Sequence, residues 1–86
     1  MGEYHFTDRG FQDYLYWQSQ DRKTLRKINE LLKSIDRDGA AQGIGKPELL
    51  RNGEGDYSRR IDEKNRLVYE VEGDMIIIIS CKGHYD

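Results

Sequence analysis

The sequence has one cysteine, one proline and two histidines in 86 residues. The lone Cys81 excludes an internal disulfide, which fits a reducing compartment. Two histidines and one cysteine are too few for a His/Cys zinc constellation, so no metal site and no cofactor are expected. The longest apolar run, Met75–Ile79, falls far short of the ~20 residues a membrane-spanning helix needs. The opening residues Met1-Gly2-Glu3-Tyr4-His5 carry no basic region and no apolar signal segment, so the expectation is a cytoplasmic protein off the membrane. An excess of either charge is missing too. Residues 1–44 hold seven Lys/Arg and seven Asp/Glu, residues 45–86 seven and nine, for a net charge of −2. That balance excludes holding nucleic acid by bulk electrostatics and leaves only a local basic patch. Repeats, linkers and low-complexity segments are also lacking, so residues 1–86 read as one small domain with one core.

What is present has clear periodicity. Tyr4-His5-Phe6 alternates and reads as a first strand. Thr7 suits the N-cap of a helix over about 8–19, with Phe11, Tyr14, Leu15 and Gln18 as its expected buried stripe. Asp21 caps a second helix over about 22–37, where Leu25, Ile28, Leu31, Leu32 and Ile35 recur at three- and four-residue steps. Lys23, Arg26, Lys27 and Lys33 lie off that stripe and read as a solvated face. Asp38-Gly39 ends the helix, and Gly43–Pro47 forms a loop in which Pro47 pushes Lys46 toward extended backbone. Strands follow over about 56–61, 66–72 and 75–82. The expected fold is α+β, a β-α-α-β-β-β order with an antiparallel sheet packed on an N-terminal helical hairpin.

Gly73-Asp74 suits a two-residue hairpin loop, which pairs residue i with residue 147−i. Leu67, Tyr69 and Val71 then share a core face with Ser80, Ile78 and Ile76. Val68, Ile77 and Ile79 fall on the second face beside Arg66, Glu70 and Glu72, a mixed surface suited to a partner or ligand. Cys81, in the isoleucine strand, reads as buried filler rather than a nucleophile.

Four groups stand out chemically: Lys46-Pro47-Glu48, Tyr57-Ser58-Arg59-Arg60, Asn65-Arg66 and the terminal His84-Tyr85. The last pair follows an apolar strand, so an imidazole and a phenol are held at the end of a firm mount. Adjacent arginines on a strand face opposite sides, so at most one of Arg59 and Arg60 serves any one site. Taken together the groups suit RNA cleavage by the RNA's own 2′-hydroxyl. That reaction needs a base, fixed positive charge on the crowded phosphorane, and an acid for the departing 5′ oxygen. Arginine meets phosphate bidentately, and an imidazole moves protons at cellular pH. Strict alternation does not bring His84 to the face of Arg66; the chain must bend at Gly83.

These residues carry a family resemblance. Asp13-Tyr-Leu-Tyr-Trp17, Lys27–Leu31, Gly45-Lys-Pro-Glu48, Ser58-Arg-Arg-Ile61, Arg66-Leu-Val-Tyr69 and Cys81…His84-Tyr85 follow the order seen in the YoeB/Txe toxins of the RelE/ParE superfamily. The resemblance implies a ribosome-dependent mRNA endonuclease that cuts in the ribosomal A site and is neutralised by a cognate antitoxin. It also suggests a homodimer, with DNA contact only through an antitoxin complex. Position by position it implies Glu48 as general base, Arg66 as the phosphate-stabilising arginine, His84 as general acid and Tyr85 as the residue closing the site. Arg60, rather than Arg59, matches a phosphate-binding arginine; Arg51 stands where the family has a lysine, and Lys46 belongs to the same substrate-binding set. The chain departs from the pattern at Lys64, at the extra Asp86 and in its acidic balance. Two other readings stay open: a gyrase poison of the ParE kind, which needs no Glu48–His84 pair, and a non-catalytic binding module.

Overall fold

The chain begins as a strand because Tyr4 and Phe6 alternate with the polar Glu3, His5 and Thr7, and it turns into helix at a residue that can cap one. A computed structural model describes residues 2–50 and 55–83. The order is β1 (Glu3–Phe6), α1 (Asp8–Gln20), α2 (Arg22–Asp38), β2 (Glu48–Leu49), β3 (Tyr57–Arg60), β4 (Arg66–Glu72) and β5 (Met75–Ser80). Thr7 Oγ1 accepts from the Gly10 amide, and Asp21 Oδ1 accepts from Lys23 and Thr24, so each helix starts on a side-chain cap. Gly39, at φ +96°, closes α2 and donates its amide to the Ile35 carbonyl.

The five strands form one sheet in the order β1-β5-β4-β3-β2, with both helices against one face. The sheet is mixed rather than wholly antiparallel, because β1 runs parallel to β5 with Tyr4 opposite Ile76 and Phe6 opposite Ile78. β1 and β5 are not sequence neighbours, and the long stretch of chain between them, two helices and three strands, allows either direction. Helix α2 lays Ile28, Leu31, Leu32 and Ile35 into the core beside Leu67, Tyr69, Ile76 and Ile78. Burying each such side chain contributes about 1.5–3 kcal/mol.

Helix α1 departs from its expected stripe. Phe11 and Leu15 are exposed, Tyr14 is half-buried, and the face turned to the sheet carries Gly10, Asp13 and Trp17. The reason lies in the backbone of β5. Thr7 Oγ1 donates to the Ile79 carbonyl, Asp13 Oδ2 accepts the Cys81 amide at 3.0 Å, and Trp17 Nε1 donates to the Cys81 carbonyl at 2.8 Å. The polar residues of α1 therefore satisfy backbone groups that the sheet leaves unpaired. Gly10 permits the approach: a Cβ there would sit 2.2 Å from the Ile78 carbonyl oxygen. Gly10→Ala should therefore lift α1 from β5 and lower stability by about 1–3 kcal/mol. Urea titration checks this; an unchanged midpoint would mean the helix shifts freely.

The hairpin register follows the 147−i rule from Glu72↔Met75 to Tyr69↔Ile78 and then slips by one, pairing Val68 with Ser80. This bulge turns Ser80 to the outer face with Val68, contrary to the simple hairpin, and gives Cys81 its place in the core. Lys46 also departs from expectation. It sits at φ +52°, following Gly45 at φ +86°, in a sharp reversal that brings the Gly45 carbonyl to the Arg60 amide at 2.7 Å.

Candidate active site

Strand alternation decides which side chains meet. Glu48 pairs with Ser58, Ser58 with Val68, and Arg60 with Arg66, so all of them face away from the helices. Glu48 lies on a two-residue edge strand, β2, which adds a strand to the expected β-α-α-β-β-β order. Arg66 Nη1 donates to Ser58 Oγ at 3.1 Å and lies 3.5 Å from Glu48 Oε1. The carboxylate is well exposed and the guanidinium about a third exposed, so the pair opens to solvent. Ser58 itself is fully buried and fixes the guanidinium from below. Ser58 stood in the Tyr57–Arg60 motif without a role of its own; the role comes from register, which sets it between Glu48 and Val68 on the face of Arg66.

The two adjacent arginines part company. Arg59 faces the core and is fully buried, whereas Arg60 is exposed on the face of Arg66. Lys46 is exposed, and the Gly45–Arg60 backbone bond ties its loop to β3. Glu48, Arg60, Arg66 and the Lys46 loop therefore gather at one end of the outer face. Arg51, His84 and Tyr85 lie outside the described residues. Gly83, the last residue described, has φ +88°, a left-handed backbone that glycine favours. Cys81 is buried and its thiol is pushed up to about 12 by desolvation and then by Asp13, which excludes a thiolate nucleophile at neutral pH. Among the described residues no group of three His, Cys, Asp or Glu could hold a metal.

The opposite end of the outer face is acidic. Glu70 is held above the usual carboxylate range, first by loss of solvent and then by the neighbouring Glu72 and Asp56. A raised carboxylate is disfavoured once ionised, so the cost is present at neutral pH and vanishes below the ordinary glutamate value. Glu70→Gln should therefore raise the urea midpoint at about pH 7 and leave it unchanged at about pH 4. A gain that persists in acid would place its origin elsewhere.

Comparison with known proteins decides the family. The chain matches the model of the YoeB-like toxin of bacterial type II toxin–antitoxin systems over residues 6–85. It belongs to that family. A YoeB toxin from Synechocystis is 48% identical over 81 residues, covering 93% of each chain. The structure of the YoeB dimer from Staphylococcus aureus superposes with a TM-score of 0.93 at 54% identity, covering 98% of each chain. The heterotetrameric YoeB–YefM complex from the same organism gives 0.91 at 53% identity over 99% of each. This YoeB-like toxin accordingly has the expected α+β fold, and among the described residues no helix is long and apolar enough to cross a membrane.

Proposed function

We propose that the chain is a ribosome-dependent mRNA endoribonuclease, a toxin that cleaves mRNA in the ribosomal A site and stops translation. The observation that carries this reading is the Glu48–Arg66 pair, a carboxylate and a guanidinium 3.5 Å apart on an open face. Membership of the YoeB-like toxins supports it. Glu48 takes the proton of the 2′-hydroxyl, and the freed oxygen attacks the adjacent phosphorus. Arg66 donates to the non-bridging oxygens as charge builds on the phosphorane. The bond from phosphorus to the 5′ oxygen then breaks, and His84 delivers its proton to that leaving oxygen. The products are a 2′,3′-cyclic phosphate and a 5′-hydroxyl, and no step passes through a metal or cofactor. Tyr85 closes the site, while Arg60, Lys46 and Arg51 hold neighbouring phosphates.

The charge layout supports this orientation. Arg60 and Arg66 attract the backbone at one end of the face, and Asp56, Glu70 and Glu72 repel it at the other, so the RNA crosses the cationic end. The reading places the protein in the cytoplasm with a cognate antitoxin as partner, as the Staphylococcus aureus relative has YefM, and allows a homodimer of the kind seen there. The test is to map mRNA 5′ ends in a translating extract with and without purified protein. New ends at ribosome-occupied codons are expected; their absence would sink the proposal.

A further inference from the structure

Gly83 is held more firmly than its place near the end of the chain requires. Its amide donates to Asn65 Oδ1 at 2.8 Å, and its carbonyl accepts the Arg66 amide at 3.0 Å. Both polar groups of one glycine are thus gripped by two consecutive residues, one of which carries the proposed phosphate clamp. The Asn65 side chain is itself locked. Its Nδ2 donates to both carboxylate oxygens of Asp62, at 3.1 Å each, and Asp62 Oδ1 also accepts the Lys64 and Asn65 amides at 2.8 Å. The amide orientation is forced at both ends, since a carboxylate only accepts and a backbone N–H only donates. Seen from the other side, α1 holds Cys81 through Asp13 and Trp17. The point from which the last three residues depart is therefore fixed beside Arg66.

We propose that Asn65, oriented by Asp62, is a positioning residue for catalysis: by gripping Gly83 it fixes, beside Arg66, the backbone that leads into His84, the proposed acid. This rests on the nuclease reading. Asn65 touches no reacting atom and acts through the tail. A positioning error of about 1 Å costs on the order of a hundredfold in rate, so the length and bend of one residue matter.

The test uses Asn65→Ala and Asp62→Ala, the second keeping the Asn65 acceptor for the Gly83 amide but removing the carboxylate that orients it. In Asn65→Ala, Gly83 hydrogen exchange should accelerate by about tenfold, and single-turnover cleavage on programmed ribosomes should fall by roughly tenfold to a hundredfold. The half-saturating ribosome concentration should stay put, and Asp62→Ala, which leaves the acceptor in place, should show a smaller part of both losses. In a His84→Ala background, Asn65→Ala should cost little more, because a residue acting through His84 has nothing left to position. Unchanged Gly83 exchange, unchanged cleavage, or a full additional loss in the His84→Ala background would each overturn the proposal. A wild-type protein that does not cleave overturns the nuclease reading and this role with it. Gly83 exchange, which needs no ribosome, still separates that failure from a failure of the anchor.

Discussion

Replacing Arg59 with leucine should destabilise the protein by about 3–5 kcal/mol, the largest loss expected of any single substitution here. The guanidinium is fully buried and all of its nitrogens are used. Nε donates to Tyr69 Oη at 2.8 Å, Nη1 to Ser34 Oγ and the Ile44 carbonyl at 2.9 Å, and Nη2 to the carbonyls of Gly39 and Gln42. Leucine fills part of the space and leaves the buried Tyr69 and Ser34 hydroxyls short of a donor, each a desolvation cost of about 1–3 kcal/mol where no water replaces the bond, while the carbonyls of Gly39, Gln42 and Ile44 lose the tie that holds their loop. The positive charge has a matching anion nearby. Ser34 Oγ donates to Asp38 Oδ2 at 3.0 Å, and Asp38 is held below the usual carboxylate range, first by its bond from Arg37 and in part by the Arg59 charge. Tyr69 completes the arrangement: its hydroxyl accepts from Arg59 and donates to the Ala40 carbonyl, consistent with a phenol kept neutral by burial. Arg59→Lys keeps the charge but offers one ammonium where the site is built for a planar fork, so it should recover only part of the loss. The urea midpoint should drop with little change in slope, and amides over 39–45 should lose protection first. Wild-type protection across that loop in Arg59→Leu would show that other contacts hold it.

That loop connects stability with function. Arg59 anchors the carbonyls of residues 39, 42 and 44, and the same segment leads into Lys46 and Glu48. The buried arginine thus sets the stage for the exposed carboxylate although the two face opposite sides of the sheet. Alternation along β3 made it legible that Arg59 and Arg60 part company; which of them is buried depends on Ser34 and Tyr69, residues distant in sequence. Helix α2 was legible in full because its partners want only apolar surface at helical spacing. Helix α1 was not, since its inner face answers the backbone of β5 with a glycine, a carboxylate and an indole. The hairpin register was legible as far as Tyr69. Beyond it the bulge depends on Thr7, Asp13 and Trp17 drawing the β5 backbone toward α1, which no pattern within β4 and β5 records. The parallel placement of β1 has the same character, being a contact between distant segments. In the candidate site, the residue types were legible and their apposition was not. Glu48 meets Arg66 only because three strands are in one particular register.

Arg66→Ala should lower A-site mRNA cleavage by about 10²–10³-fold, the loss typical of removing one preorganised donor from a charged transition state. The fold should barely respond. The Glu48–Arg66 contact is long and open to solvent, so its removal should cost under about 1 kcal/mol. Ser58 Oγ loses a donor but, as a hydroxyl, can rotate to another partner. Arg66→Lys retains charge without the planar fork and should retain a minor part of the rate. Glu48→Gln, nearly isosteric, removes the base and should also cost rate while leaving ribosome binding intact. The double variant decides between roles. If Glu48 and Arg66 act on the same transition state, their losses in single-turnover cleavage combine to less than the product of the single losses. If instead Glu48 serves only to hold Arg66 in place, Arg66→Ala alone should cost as much as the pair, and Glu48→Gln in that background should cost nothing. Arg66→Ala with wild-type cleavage on a folded protein would remove Arg66 from the chemistry and with it the geometric basis of the nuclease reading.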